Sequence, residues 1–169
     1  MPSASTQQHR RAAPQRLGVC VLTISDSRTE ADDKSGALIA QLLQGAGHCV
    51  IDKRIVKDDR DAIAAAVGQL TTMAGVDAII STGGTGIAPR DCTPEAIRPL
   101  LDVEIPGFGE VFRMLSWHEV GAATMLSRAF AGRVGRVLLF CLPGSSNAVR
   151  LAMEQLIIPE LPHLVYHSR

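Results

Sequence analysis

The stretch VDAIISTGGTG, residues 76–86, joins a short apolar segment to a loop of glycine and threonine. The apolar part has the length of a strand and is nearly continuous, which is typical of a strand covered on both faces. Glycine lets the backbone turn with positive φ and lets a ligand approach closely. Successive backbone N–H groups in such a loop can bind an anion. The stretch therefore predicts a buried strand that ends in an anion-binding loop.

Segments of the same kind lie on both sides of this stretch. Short apolar runs predict further strands at residues 17–24, 48–56, 137–142 and, for a shorter strand, 129–134. The alternating pattern of 48–56 indicates a more exposed position. Apolar residues at helical spacing lie between the strands, at residues 38–43, 58–70, 93–101, 106–116 and 145–157. This order predicts an α/β fold: a three-layer, mostly parallel sheet with helices on both faces.

The third of these helices has a clear start signal. Thr93 is a favourable N-cap residue, and Pro94 is favoured at the first helical position. We therefore expect Thr93 to cap a helix that continues to about Leu101.

The composition indicates one folded domain without an overall charge. The chain has 169 residues, 46% of them hydrophobic, with 17 Lys plus Arg against 17 Asp plus Glu. A protein that binds nucleic acid regardless of sequence needs a basic excess, so the balance argues against that class. We predict a single domain over residues 16–169, preceded by a disordered polar tail over residues 1–15.

Several absences point to a cytoplasmic protein. No apolar run reaches the roughly 18 residues that indicate a membrane span. The N-terminal sequence MPSASTQQHRRAAPQR contains no apolar segment, so it is not typical of a secretory signal. The four cysteines lack the spacing of a zinc or redox pair, which suits a reducing compartment. Only His163 and His167 have the helical spacing of metal ligands, and their place beside the chain end argues against a metal site.

Three polar loops follow the most apolar of the predicted strands. They cover residues 25–28, 82–86 and 143–147. The carboxyl ends of parallel strands meet at one edge of a sheet, where ligands bind. We therefore expect the three loops to form one binding crevice.

The pattern of glycines excludes two familiar phosphate-binding motifs. No lysine follows the glycine loop as it would in a P-loop, and no GxGxxG follows the first strand. A flavin remains an alternative, although one Trp and one Tyr offer little aromatic stacking. A preparation without flavin absorbance would eliminate it.

Charged residues near these loops suggest a phosphate ligand with a cation. Asp91 follows the glycine loop and Asp58 ends the second strand, so both are expected at the crevice. Mg²⁺ prefers one or two carboxylates together with phosphate oxygens. Helix capping is an equal alternative for both aspartates. Arg90, Arg113 and Arg128 are candidate phosphate clamps, with surface charge as the other reading.

An ordered set of motifs then resembles a known family. The matching segments are TISDSR (23–28), DDKSG (32–36), VKDD (56–59), STGGTG (81–86), RDCTPEA (90–96), PGFGEVFRMLS (106–116), LSRAFAG (126–132) and LPGS (142–145). In this order they resemble the MoaB/MogA family of molybdenum cofactor biosynthesis proteins over nearly all of residues 17–160. The segments 106–116 and 126–132 are most similar to the MoaB branch.

The resemblance implies a fold, an activity and an assembly. The fold is the molybdopterin-binding α/β fold, and the reaction is adenylylation: molybdopterin and ATP give adenylyl-molybdopterin and pyrophosphate. From the two aspartates described above, we expect Mg²⁺ as the cofactor. The partners are other molybdenum cofactor biosynthesis enzymes, without nucleic acid or membrane, and the assembly is a homo-oligomer, a trimer or a hexamer. A non-catalytic molybdopterin carrier or scaffold of the same pathway is the alternative.

The resemblance also carries site residues over to this sequence. The binding residues that match the family's motifs are Gly83, Gly84, Thr85, Gly86, Pro143, Gly144 and Ser145. Ser25 and Thr82, which lie in the same group of polar loops, are expected to bind as well. Asp58 and Asp91 match the family's functional aspartates. They are expected to be catalytic and to hold Mg²⁺.

Overall fold

Six strands form one mixed sheet in the computed structural model, which describes residues 13–169. The strands are β1 (Gly18–Ile24), β2 (Cys49–Val56), β3 (Ala78–Thr82), β4 (Val103–Glu104), β5 (Phe130–Val134) and β6 (Val137–Leu142). Their order across the sheet is β2-β1-β3-β6-β5-β4. The pairs β1–β2, β1–β3 and β3–β6 are parallel, and β5–β6 and β4–β5 are antiparallel. The predicted mostly parallel sheet is confirmed.

Burial follows the predicted pattern along the sheet. Every residue of β1, β3 and β6 is buried. Strand β2 is an edge strand and only half-buried, as its alternating sequence predicts. Sequence reasoning missed β4, because its two exposed residues are too few to show a periodicity.

Within residues 13–169, six α-helices cover the sheet. They are α1 (Lys34–Gly45), α2 (Arg60–Thr72), α3 (Thr93–Ile97), α4 (Pro106–Val120), α5 (Ser146–Ala152) and α6 (Ile158–Ser168). Successive side chains of a strand point to opposite faces, so each central strand contributes to two cores. In β1, Val19 and Val21 lie in the core that contains residues of α1, α4, α5 and α6, whereas Cys20 and Leu22 lie in the core with residues of α2 and α3. Helices therefore cover both faces, as predicted.

The start of α3 differs from the prediction. Thr93 is the first residue of the helix, and the N-cap position belongs to Cys92, whose side chain makes no capping hydrogen bond. Thr93 is fully buried, and its hydroxyl donates to the Gly83 carbonyl oxygen at 2.9 Å. The predicted cap was wrong because the glycine loop offers this hydroxyl a buried acceptor. The helix also ends earlier than predicted and continues as a 3₁₀ turn over Arg98–Leu100.

The C-terminal helical region is longer than predicted. After α5, a π-helical turn spans Met153–Ile157 and leads directly into α6, which contains Pro162. Leu161 and Val165 lie one turn apart on α6, and both are buried against the core. Such burial stabilises a helix in spite of an internal proline, because tertiary packing outweighs local propensity.

The ends and surface of the chain add two observations. Residues 1–12 of the predicted tail lie outside the described residues, and Ala13 is buried. Within the described range 13–169, no helix combines the length and apolar character needed to cross a membrane.

Candidate functional site

The three polar loops meet at the carboxyl edge of the sheet. Strands β1, β3 and β6 run parallel, so the loops that follow them begin side by side. The Gly83 amide donates to the Leu142 carbonyl at 3.0 Å, and the Thr82 hydroxyl donates to the Pro143 carbonyl at 2.8 Å. The Ser35 hydroxyl donates to the Gly144 carbonyl at 2.9 Å. The predicted convergence of the loops is confirmed.

The glycine loop after β3 has a backbone conformation that residues with a side chain rarely adopt. Gly83 and Gly84 have φ values of 109° and 63°. A Cβ atom on Gly83 would lie 2.2 Å from the Ile24 carbonyl oxygen, and one on Gly84 would lie 2.3 Å from the Thr93 hydroxyl oxygen. Both the conformation and the close packing therefore require glycine.

A large cleft, here called the wide cleft, opens on one side of the glycine loop. Its volume is about 680 Å³. Loop residues form one wall: Gly83, Gly84, Thr85, Gly86, Asp91, Pro143, Gly144 and Ser145. Helix α4 and the 3₁₀ turn Gly121–Leu126 form an opposite wall that contains Phe112, Val120, Ala123 and Leu126. Ser116, Glu119 and Thr124 add a few polar groups, which is typical of a site for a small organic ligand.

A smaller cleft, here called the narrow cleft, opens on the other side. Its volume is about 340 Å³. The lining is polar: it includes Ser25, Ser27, Ser35, Thr82 and Ser146. Three basic residues line it, Arg28, Lys34 and Arg90, against the single acidic residue Asp33. Cations and hydroxyl groups in this arrangement suit a polyanion.

The two clefts meet along a shared backbone edge. Gly83, Gly144 and Ser145 line both of them. A Cβ atom on Gly144 would lie 3.6 Å from the Gly83 Cα atom, so the two loops are in contact there. Ser145 is the N-cap of α5, and its hydroxyl oxygen accepts from the Ala148 amide at 3.3 Å.

Asp91 and Asp58 occupy different positions. Asp91 lines the wide cleft, and its Oδ2 atom accepts from the Ala88 amide at 2.9 Å. Asp58 lines neither of the two clefts. Its Oδ1 atom accepts from both the amide and the thiol of Cys92, each at 3.3 Å. The carboxylate therefore contacts the chain that follows Asp91.

The thiol of Cys92 is kept protonated by this environment. Burial and the hydrogen bond to Asp58 raise the pKa of Cys92 to about 11. A thiol of this kind acts as a hydrogen-bond donor at neutral pH and is a poor nucleophile.

The three candidate arginines separate into different roles. Arg90 lines the narrow cleft. Arg113 donates to the Ala129 carbonyl at 3.1 Å, and Arg128 donates to backbone carbonyls of the glycine loop region. Sequence reasoning did not select Arg28 and Lys34, although Arg28 lies within a predicted binding loop.

The apolar wall of the wide cleft was also not predicted as part of a site. The helical spacing of residues 106–116 indicates an apolar face that contains Phe112. Phe112 belongs to the core, since it is 1% exposed, yet the residue also borders the cleft. Periodicity identifies an apolar face but not the cavity beside it, so no signal in the sequence marked this wall.

Comparison with known proteins gives a consistent result. The family model described as "Probable molybdopterin binding domain" matches residues 20–163. The curated Molybdenum cofactor biosynthesis protein B of Bacillus cereus is 50% identical over 163 residues, 96% of this chain and 96% of the relative. The protein of the same name from Escherichia coli K12 is 48% identical over 143 residues, 85% of this chain and 84% of the relative.

Solved structures agree with the sequence comparison. A crystal structure of Molybdenum cofactor biosynthesis protein B superposes with a TM-score of 0.89 at 51% identity, covering 92% of this chain and 98% of the other. The tungsten cofactor synthesizing protein MoaB from Pyrococcus furiosus has a TM-score of 0.82 at 43% identity, with 93% and 99% covered. A MogA structure has a TM-score of 0.81 at 33% identity, with 90% and 99% covered.

Proposed function

This chain belongs to the MoaB/MogA family of molybdenum cofactor biosynthesis proteins, and we propose that it adenylylates molybdopterin in the cytoplasm. In the proposed step, an oxygen of the terminal phosphate of molybdopterin attacks the α-phosphorus of ATP. A new P–O bond forms, the bond between the α-phosphorus and the bridging oxygen breaks, and pyrophosphate leaves with that electron pair. The attacking phosphate is already an anion, so the step needs no strong base.

One observation carries this proposal: two clefts of different chemistry share one edge of backbone amides. The reaction must bring two polyanions together, so it depends on positioning and on stabilisation of negative charge. The glycine loop and the Gly144–Ser145 segment lie between the clefts and can hold phosphates of both substrates. We propose that the apolar wall of the wide cleft contacts a ring system. The cationic narrow cleft then receives phosphate groups.

Among the loop residues that line the wide cleft, Asp91 carries the carboxylate that suits the proposed Mg²⁺ ion. Within residues 13–169, no group of three or more His, Cys, Asp or Glu side chains is arranged to hold a metal ion. Mg²⁺ usually takes one or two carboxylates, with substrate phosphates and water as its other ligands. A single carboxylate beside the glycine loop fits an ion that binds together with a nucleotide. Such an ion would neutralise charge on the phosphates of ATP.

Asp58 remains a predicted catalytic residue and a predicted second ligand. Its contacts with Cys92 support a role close to Asp91, since Cys92 is the next residue in the chain. A carboxylate there would orient the turn that carries Asp91.

We also propose that the chain forms a homo-oligomer, a trimer or a hexamer. Met114 and Trp117 on α4 and Met125 on the adjoining 3₁₀ turn are 59%, 55% and 77% exposed. Large apolar side chains grouped on one surface indicate a protein interface. Sedimentation velocity of the purified protein tests this proposal, and a monomer at micromolar concentration contradicts it.

The decisive experiment mixes the protein with molybdopterin, ATP and Mg²⁺ and measures pyrophosphate release. We expect release that depends on molybdopterin, with reactions lacking molybdopterin as the control. If molybdopterin binds and no pyrophosphate forms above background, the carrier alternative replaces the proposed activity.

A further inference from the structure

The carbonyl groups of the glycine loop accept hydrogen bonds from two residues that lie elsewhere in the chain. Four consecutive carbonyl oxygens, those of residues 83–86, accept hydrogen bonds from only two residues, Thr93 and Arg128. Thr93 donates from its hydroxyl to Gly83 at 2.9 Å and from its amide to Gly84 at 3.1 Å. The next two carbonyls, those of Thr85 and Gly86, accept hydrogen bonds from Arg128.

Arg128 reaches the loop from the segment that precedes β5. Its amide donates to the Thr85 carbonyl at 3.0 Å, and its Nε atom donates to the Gly86 carbonyl at 2.7 Å. Its Nη2 atom donates to the Asp91 carbonyl at 2.8 Å, and its Nη1 atom pairs with Glu95. The guanidinium therefore joins the two ends of the turn that runs from the glycine loop to Asp91.

These contacts determine where the amide groups of the loop point. In a trans peptide the C=O and the following N–H point in opposite directions. The N–H groups of residues 84–87 are therefore turned away from Thr93 and Arg128. None of these four N–H groups has a hydrogen-bond acceptor among residues 13–169. Gly84, Thr85 and Gly86 line the wide cleft, whereas Thr93 and Arg128 line neither cleft.

We propose that Thr93 and Arg128 are positioning residues, which hold the four carbonyls and thereby aim the N–H groups of residues 84–86 at substrate phosphates. That the bound anion is a phosphate group of molybdopterin or ATP rests on the proposed function. Arg128 is thus not a phosphate clamp: its guanidinium is occupied by Gly86, Asp91 and Glu95. It acts on the substrate only through the backbone.

Matched substitutions separate this role from charge and from general stability. Arg128→Lys keeps the positive charge but loses the rigid planar fork that holds the Gly86 and Asp91 carbonyls and Glu95 at fixed positions. Thr93→Val keeps the shape of the side chain and removes the hydroxyl, whereas Thr93→Ser keeps the hydroxyl. Arg150→Lys is the control, since Arg150 is exposed on α5 and pairs with Glu154 at 3.0 Å.

The probe is inorganic pyrophosphate, titrated calorimetrically into each full-length variant, with thermal melting to confirm folding. We expect Arg128→Lys and Thr93→Val to weaken binding about tenfold, because misaligned donors to a charged group lose most of their contribution. Thr93→Ser and Arg150→Lys are expected to stay within about twofold of the unmodified chain. If Thr93→Val fails to fold, Arg128→Lys and Thr93→Ser still decide the question.

A spectroscopic readout tests the backbone directly. In ¹H–¹⁵N spectra of the unmodified protein, pyrophosphate is expected to shift the amide resonances of Gly84, Thr85 and Gly86. Arg128→Lys is expected to weaken these shifts, because the turn from the loop to Asp91 loses the guanidinium bonds to the Gly86 and Asp91 carbonyls, whereas the bond from the residue 128 amide to Thr85 remains. Most other resonances are expected to stay in place. A merely structural role for Arg128 would lower the melting temperature without this selective loss.

Two results overturn the proposal: Arg128→Lys binds pyrophosphate as tightly as the unmodified chain, or the loop amides of the unmodified chain do not respond to pyrophosphate. The proposed reaction fails in a different way. If the amides respond and the matched variants behave as expected, but molybdopterin and ATP give no pyrophosphate, the positioning role stands and the adenylyl transfer does not.

Discussion

The wide and narrow clefts share Gly83, Gly144 and Ser145, but their outer walls have different chemistry. The wall of the wide cleft comes from α4 and the 3₁₀ turn, and it includes Val120 and Leu126. The narrow cleft is bounded by the loop after β1 and the start of α1, which supply Ser25, Arg28 and Lys34. The backbone between the clefts can bind phosphate on either side.

This difference shows that the loops and the surrounding elements have separate tasks. Backbone amides recognise an anion without regard to what is attached to it. In the proposed function, the flanking side chains then select the attached group, an apolar ring on one side and further negative charge on the other. Substitutions in the two walls should therefore have separable effects.

The largest effect is expected at the carboxylate of the wide cleft. Asp91→Asn keeps the size of the side chain and removes the charge that would hold Mg²⁺. We expect turnover to fall at least about 100-fold, because metal-assisted charge stabilisation contributes several kcal/mol. Molybdopterin affinity is expected to change much less. The measurement is pyrophosphate release alongside a binding titration, with exposed Asp61→Asn as the control. Equal losses of turnover and binding contradict the metal role.

The next effect is expected in the narrow cleft. The double substitution Arg28→Gln and Lys34→Gln removes two of its three cations. We expect pyrophosphate affinity to fall about tenfold or more, since each charge-assisted hydrogen bond contributes roughly 1.5–3 kcal/mol. The loss should shrink at high salt, which screens exposed charges. Calorimetric titration at low and high salt checks this, with Arg150→Gln as the matched control. An unchanged affinity would remove the narrow cleft from the site.

A smaller effect is expected on the apolar wall. Val120→Thr preserves the shape of the side chain and makes the wall more polar. We expect molybdopterin affinity to fall about threefold, from the lost transfer energy of one methyl group. Pyrophosphate affinity should stay unchanged. If the substitution weakens pyrophosphate instead, the assignment of ring and phosphate to the two clefts is reversed.

The smallest effect on ligand binding is expected from a substitution of His48, which lies at the end of the sheet opposite the clefts and affects stability instead. His48 precedes β2, is buried, and its Nδ1 atom has no partner among the described residues. Burial lowers the pKa of His48 below its ordinary value of 6.5. The unfolded chain then binds more protons below that value, so the stability supplied by neutral His48 is present above about pH 6.5 and decreases as the pH falls.

His48→Leu removes this dependence. We expect the free energy of unfolding at about pH 5 to rise by about 1 kcal/mol and its decrease with acid to become shallower. Urea unfolding at several pH values measures both, with the exposed His118→Gln as the control. A parallel pH profile for His48→Leu and the unmodified chain would show that His48 does not titrate on unfolding.

Much of the fold could be predicted because its strands are strongly patterned. Val137–Leu142 is a continuous apolar run, and the structure places β6 at the same residues. Edges and ends were less predictable. The two exposed residues of β4 are too few to show a hydrophobic periodicity. Helix α6 continues through Pro162 because Leu161 and Val165 are buried.

The candidate site divides in the same way. Gly83 and Gly84 could be predicted because only glycine tolerates their conformation and packing. The role of Thr93 could not, because a threonine before a proline has the same local pattern whether it caps a helix or donates to a distant carbonyl. The wall at Val120 is an ordinary helical position in the sequence, and only folding places it opposite the loop.

The sequence by itself determined the parallel strands, the glycine loop and the family, since these depend on local periodicity and on short motifs. Only the tertiary structure decided which side chains surround the loop and which two residues hold its carbonyls. The hydrogen bond from Arg128 to Gly86, for example, joins residues that lie 42 positions apart in the chain. Separations of that length leave no periodic signal, because the contacts form only when the sheet brings its loops to one edge.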